Sequence, residues 1–249
     1  MIKNKLSLEE LWIAASPAGD VFHPEALRPL PQPAKRYIEH AIAPGTQLAS
    51  AVRLRMHGEI KLGKWLPFTA EQVIRQERGM IWSATVHKSG IPIRGSDRVV
   101  DREGSMQWKL FGIFPMMKAS GSDITRSVIG RLQVESIWLP SMFCRPDVTW
   151  TETAESCPHA HFTVQGETAE LDLSVDETGR VKTAALPRWG NPEGGAFHFV
   201  QFGGVLEEER IFDGYTIPSR IRAGWYFGTD RFSTDGEFFR AVIDEAIFR

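Results

Sequence analysis

The chain has 249 residues, 42% hydrophobic and 24% charged, an ordinary globular composition. A formal net charge of -2 provides no general attraction to phosphate backbones, so nucleic acid is not an expected partner. Two cysteines, Cys144 and Cys157, exclude a disulfide-dense scaffold, and no run of about 18 apolar residues is present to cross a membrane as a helix.

Lys3 and Lys5 suit the basic start of a secretory leader, but Glu9 and Glu10 interrupt any apolar core, and the cytoplasm is the expected compartment. Ser7 and Glu10 form a capping box that opens a helix carrying Leu8, Leu11 and Trp12, stopped by Pro17 and Gly19. Pro24, Pro29, Pro31 and Pro33 predict an extended connector. A second helix follows from about Pro33 to Ile42, with Tyr37, Ile38 and Ala41 on one side. In Val52–His57 apolar and basic residues alternate with the period of a half-buried strand. Further strands are predicted at Phe68–Arg75, Ile81–His87, Asp97–Asp101 and Ser105–Phe111, with turns at Glu77-Arg78-Gly79 and Arg102-Glu103-Gly104. Asp97 and Asp101 read as part of a solvated strand face.

Ser122–Leu139 breaks the strand pattern and reads as one helix. At roughly 100° per residue, Ile124, Val128, Leu132 and Leu139 fall in one stripe. Glu135 sits in the middle of that stripe, and Arg131 and Trp138 lie on its flank. A carboxylate among core residues is costly unless paired or functional, and Arg131, four positions earlier, is within reach of it. Glu135 therefore reads either as a group facing a cavity, orienting a polar partner or acting as a base, or as half of a structural ion pair anchoring the helix. Gly130 weakens the helix at its middle.

Beyond the helix, Pro140 and Pro146 predict an irregular loop. Strands resume at His159–Val164, Ala169–Val175, Val181–Ala185, Phe197–Phe202, Leu206–Phe212, Thr216–Trp225 and Glu237–Ile247. Asp176–Gly179 and Asp213-Gly214 are turn signals. Pro187–Gly195, with Arg188 and Trp189, reads as a long functional loop or as a wide hairpin connection. Cys157, His159 and His161 share a strand face at a spacing that soft metals accept, but no fourth ligand is suggested, and neither metal nor cofactor is expected. Glu207–Arg210 reads as an exposed strand or its bulge. Eight tryptophans are many for this length; Trp82, Trp108, Trp138 and Trp225 suit the wall of an apolar pocket or ordinary core packing.

Several of these motifs together resemble a mostly bacterial family with no established activity: Gly104-Ser105-Met106, Gly112, Pro115, Ser120-Gly121, Gly130-Arg131-Leu132, Glu135, Trp138-Leu139-Pro140 and the string Phe212–Ser219. The resemblance covers about residues 30 to 249. The family is similar in architecture to lipoprotein-carrier (Lol-type) half-barrels, curved antiparallel sheets closed on the concave side by helices, which hold acyl chains. Those carriers are made with a leader, which is not read in this chain, so the resemblance implies an apolar cavity rather than lipoprotein transport.

The expected fold is one α+β domain over residues 1–249: a helical extension at 1–45, then a strongly curved antiparallel sheet at 46–249, with the 122–139 helix across its concave face. The first expectation for function is a binding protein for a hydrophobic or amphipathic small molecule, a lipid or acyl group. Trp82, Trp108, Trp138 and Trp225 would line its wall, Arg131 or Arg188 would meet an anionic head group, and Trp189 would add recognition chemistry. The alternatives are a hydrolase or isomerase with Glu135 as general base, and a structural or interaction module. Ligand identity and oligomeric state are left open.

Overall fold

The computed structural model of the chain describes residues 6–15, 19–154 and 156–249. The expected helix stop at Pro17 and the basic residues Lys3 and Lys5 lie outside the described residues. Thirteen strands form one sheet. They are β1 (Ala51–Leu62), β2 (Lys64–Arg75), β3 (Gly79–Lys88), β4 (Ile91–Val100), β5 (Glu103–Leu110), β6 (Phe114–Ser120), β7 (Thr149–Ala154), β8 (Cys157–Val164), β9 (Glu167–Val175), β10 (Val181–Gly190), β11 (His198–Phe212), β12 (Tyr215–Trp225) and β13 (Glu237–Phe248). The order across the sheet is β6-β5-β4-β3-β2-β1-β13-β12-β11-β10-β9-β8-β7, with every neighbouring pair antiparallel.

Two meanders therefore run outward from a central β1–β13 seam, which buries both chain-end strands of the sheet. The sheet curls until its limbs meet. Gln165, in the β8–β9 turn, donates to the Glu77 carbonyl at 3.0 Å and accepts from the Arg102 amide at 2.7 Å. Helix α3 (Ser122–Glu135) fills the hollow between the limbs, lying on β5 and β10. This is an α+β half-barrel with a helix across its concave face, as expected from the sequence.

The inward faces follow the period-two pattern. Val52, Leu54 and Met56 of β1 and Ile74 of β2 enter one large core with the concave residues of β8 and β9. Helix α1 (Leu8–Ile13) opens with the expected capping box and packs Leu11 on Val73, Ile81 and Val100, outside the curve. Helix α2 (Gln32–Ala41) buries Tyr37, Ile38 and Ala41 in the main core. The proline-rich connector before it is not simply extended, because Pro24–Leu27 forms a 3-10 turn that buries Leu27.

Other boundaries also differ. Strand β6 lies where no element was predicted and β7 takes part of the expected irregular loop; both are edge strands of mostly exposed residues, so little burial alternation marks them. Pro187, Arg188 and Trp189 extend β10 rather than form a loop, since they pair with Gln201, Val200 and Phe199 of β11. Helix α3 ends at Glu135 and a 3-10 turn, Ser136–Trp138, continues it, with a second at Pro140–Cys144 in place of the expected irregular loop. The helix passes unbroken through Gly130, where a Cβ would come 2.8 Å from Cγ of Arg188. Glycine there makes room for the arginine stem that crosses the helix. Among the described residues no helix is long and apolar enough to cross a membrane.

Candidate functional site

A cavity of about 440 Å³ lies between α3 and the concave sheet. Its hollow comes from missing side chains. Ala184, Gly204 and Ala223 stand opposite one another on β10, β11 and β12, and Gly203 adjoins them. Around this floor stand large rings: Trp82, Trp108, Trp138, Phe202, Phe238 and Phe239. Trp82 packs on Phe68, Trp108 and Phe239 with ring centroids 5.8, 5.8 and 6.2 Å away. Trp108 lies flat over β4 because Gly95 offers no side chain there; a Cβ would meet the indole at 2.0 Å. Trp138 is fixed by its indole N–H, which donates to the Pro218 carbonyl at 3.0 Å.

A charged network borders the same cavity. Register places Gln72, Trp82, Asp97 and Met106 in one row across β2 to β5. Arg131 descends from α3 onto this row, its guanidinium 4.6 Å above the Trp82 ring. It donates to Oε1 of Glu135 at 2.7 Å and to Oδ2 of Asp97 at 3.1 Å. Gln72 Nε2 donates to the second oxygen of Glu135 at 2.6 Å, and the Trp108 indole donates to Oδ1 of Asp97 at 3.3 Å. Burial pushes the Asp97 carboxyl above its ordinary value, and Arg131 and the Trp108 N–H oppose that push. Burial works against the charge of Arg131, but Glu135 and Asp97 together outweigh it and hold the guanidinium more firmly protonated than usual.

Arg188 is differently placed. It reaches the cavity from β10, donates from Nε to the Ser127 carbonyl at 3.0 Å, and lies 4.6 Å over the Phe202 ring and 4.8 Å over Trp225. Its Nη2 stands at a marginal 3.5 Å from the Ser127 hydroxyl, and no carboxylate among the described residues is within ion-pair distance. Burial, and then repulsion by Arg131, push its pKa down to about 9, a shift that Glu135 and Asp97 oppose. Arg188 is thus a buried cation short of negative charge.

The structure thus brings Trp82, Trp108, Arg131, Glu135, Trp138 and Arg188 around one space. Trp225 stands behind Phe202 and Arg188, with Gly190 lying against its ring. Trp189 points to the other face of β10. It meets Phe199 edge to face at 5.2 Å, carries Arg126 at 4.4 Å and donates to Asp123 at 2.9 Å, beside a smaller polar cleft. The alternation of β10 separates it from Arg188.

Asp97 corrects the sequence reading, since it is buried and ion-paired, not solvated. The signal was available: Ile93, Gly95, Asp97 and Val99 share one face of β4, and a carboxylate in that apolar row needs a partner. Gln72 and the Gly203-Gly204 floor were not read from the sequence either. Asp101 is a turn residue paired with Arg78. His159 and His161 engage the cross-strand carboxylates Glu170 and Asp172 on an exposed surface.

Residues 28–248 match the model of DUF6920, a family of unknown function, and the chain belongs to that family. No curated protein matches the chain. Among solved structures, a LolA superfamily protein from Nitrosomonas europaea is similar, with a TM-score of 0.44, 11% identity, and coverage of 87% of this chain and 92% of that one. A putative outer membrane lipoprotein-sorting protein domain from Vibrio parahaemolyticus is similar with a TM-score of 0.38 and 8% identity, over 80% of this chain and 86% of that one. Both likenesses concern the fold.

Proposed function

We propose that this DUF6920 protein binds an amphipathic small molecule, an acyl-type chain bearing an anionic head group, in the cavity beneath α3. The observation that carries the reading is an apolar hollow of about 440 Å³ with Arg188 turned into it and no carboxylate of the described residues within ion-pair distance of its guanidinium. Small-molecule sites span roughly 300–1,000 Å³ and combine apolar walls with a few polar groups that fix orientation. The apolar chain would lie over Ala184, Gly204 and Ala223 between the rings. The head group would accept from the Nη atoms of Arg188, of which only Nη2 has a partner, the long contact to the Ser127 hydroxyl, and whose fork matches a carboxylate or phosphate. Arg131 is already committed to Asp97 and Glu135, so its part is to hold the α3 end of the wall in place.

The general-base reading of Glu135 lacks this support, because both of its oxygens accept strong hydrogen bonds, from Arg131 and from Gln72. A purely structural role accounts for the Arg131 network but not for Arg188 or the hollow.

The test combines mass spectrometry of organic extracts of the purified protein with titration of a fluorescent fatty-acid probe. Arg188→Met keeps the stem and removes the donors, and is expected to weaken probe binding by about 10- to 100-fold. Ala184→Leu fills the floor and is expected to weaken it comparably without lowering Tm. A lipid-free extract together with probe binding indifferent to both substitutions would overturn the proposal.

A further inference from the structure

The fold does not explain the surface at the mouth of the cavity. The β1–β2, β3–β4 and β5–β6 hairpins all turn at the same end of the sheet, and the Phe111 amide ties the last to the Pro92 carbonyl at 2.9 Å. Their tips expose Leu62, Ile91, Ile113, Phe114, Met116 and Met117, at between 41% and 71% of full exposure. Phe111 beside them is held at φ 54, in the left-handed region that bulky side chains rarely adopt, and its ring is exposed too. Its ring therefore adds little burial to the fold, although its amide holds the hairpin. Contiguous exposed apolar surface of this kind marks an interaction site.

The same tips are basic. Segments 60–64, 88–94 and 109–118 carry Lys61, Lys64, Lys88, Arg94, Lys109 and Lys118 and contain no Asp or Glu, in a chain of net charge -2. None of these cations is in an ion pair among the described residues; Lys61 alone has a hydrogen bond, at 3.4 Å to the Thr234 carbonyl. Strand addition by a second copy is disfavoured at this edge. Pro115 removes a donor from β6, and a bulge interrupts its pairing at Trp108/Lys109. Met116 and Met117 also line the cavity, so whatever covers the tips covers the entrance.

We propose that these three hairpin tips dock the protein on an anionic lipid bilayer, with Ile113 and Phe114 entering the interface, the lysines and Arg94 meeting lipid phosphates, and the cavity mouth facing the membrane. Apolar side chains interleaved with unpaired cations are the composition that binds such surfaces. The proposal gains its purpose from the ligand reading above, since a bilayer is where an amphipathic ligand would be collected or delivered. Its test reads membrane binding alone.

The full chain is sedimented with phosphatidylcholine vesicles and with phosphatidylcholine–phosphatidylglycerol vesicles. Co-sedimentation is expected with the second kind, weakening as salt is raised. Ile113→Ser combined with Phe114→Ser, at exposed positions, is expected to lower vesicle binding by about tenfold or more. Lys64→Glu with Lys88→Glu is expected to do the same on phosphatidylglycerol vesicles. Both variants are expected to keep the parent Tm and the fatty-acid probe affinity in vesicle-free buffer. A wild-type chain that stays in the supernatant with both vesicle types, or vesicle binding that both variants retain, overturns the membrane proposal and leaves the cavity reading standing. Loss of probe binding by Arg188→Met with vesicle binding intact would show that the two properties are separate.

Discussion

Arg131 and Arg188 are the same residue type bordering one cavity, and their surroundings give them different work. Arg131 has two carboxylates, an indole face and a helix position that sets its direction. Arg188 has one backbone carbonyl and two aromatic faces. Removing one partner of a buried pair leaves charge uncompensated, whereas removing an already uncompensated charge relieves the fold. Glu135→Gln is therefore expected to lower stability by about 2–3 kcal/mol, partly buffered by Asp97, which is a Tm decrease of roughly 4–12 °C for a chain of this size. Arg188→Met is expected to leave Tm equal or higher. Thermal unfolding of the two variants side by side distinguishes a structural from a functional arginine; equal losses would sink the distinction.

Among the elements, the contact of α3 with the sheet depends on absent side chains as much as on present ones. At Gly104 of β5 a Cβ would stand 2.3 Å from Cα of Thr125, so helix and strand touch backbone to backbone, and the Thr125 hydroxyl accepts from the Gly104 amide at 2.9 Å. The β9–β10 turn shows the opposite device, a side chain that organises backbone. Asp176 Oδ1 accepts from the Thr178 amide at 3.0 Å, from its hydroxyl at 2.6 Å and from the Arg180 amide at 3.2 Å, while Lys182 approaches Oδ2 at 3.0 Å. The Thr178 hydroxyl first, then Lys182 and the amides, hold this carboxyl well below the usual carboxylate range. A folded pKa below the unfolded one stabilises above the unfolded value, near about 3.9, and that contribution is lost as pH falls toward the folded value. Asp176→Ala is expected to cost about 1–2 kcal/mol at pH 7. The difference between variant and parent should shrink in denaturant melts taken progressively below about pH 4; a difference independent of pH would show that the turn does not depend on the ionised carboxylate.

For the molecule as a whole, curvature makes the hollow and the clasp between the limbs limits how far it opens. Among the described residues, Gln165 supplies both side-chain hydrogen bonds that reach the Glu77 and Arg102 turns from the far limb. Gln165→Ala removes both without disturbing the core. Faster hydrogen exchange is expected at the Arg102 amide, with global stability lowered by less than about 2 kcal/mol. Unaltered exchange there would mean that α3, wedged between β5 and β10, holds the limbs by itself.

What the chain order alone determined is the local alphabet: the capping box at Ser7 and Glu10, most strands by period two, the turns at Glu77–Gly79 and Asp176–Gly179, and a helix at Ser122 with a charged pair on its inward side. These are readable because each depends on residues a few positions apart. The partners of the pair were not readable. Asp97, Gln72 and Trp82 come together through the register of β2, β3 and β4, and Arg188 reaches α3 from β10, some 60 positions along the chain. Helical periodicity predicted one inward stripe, yet from Val128 onward α3 is enclosed on several sides, because both limbs of the sheet press on it. The tryptophans hinted at the wall of the cavity, but its floor has no sequence signature. It exists because Ala184, Gly204 and Ala223 fall side by side on three neighbouring strands, an alignment fixed by strand pairing and by the bend of the sheet.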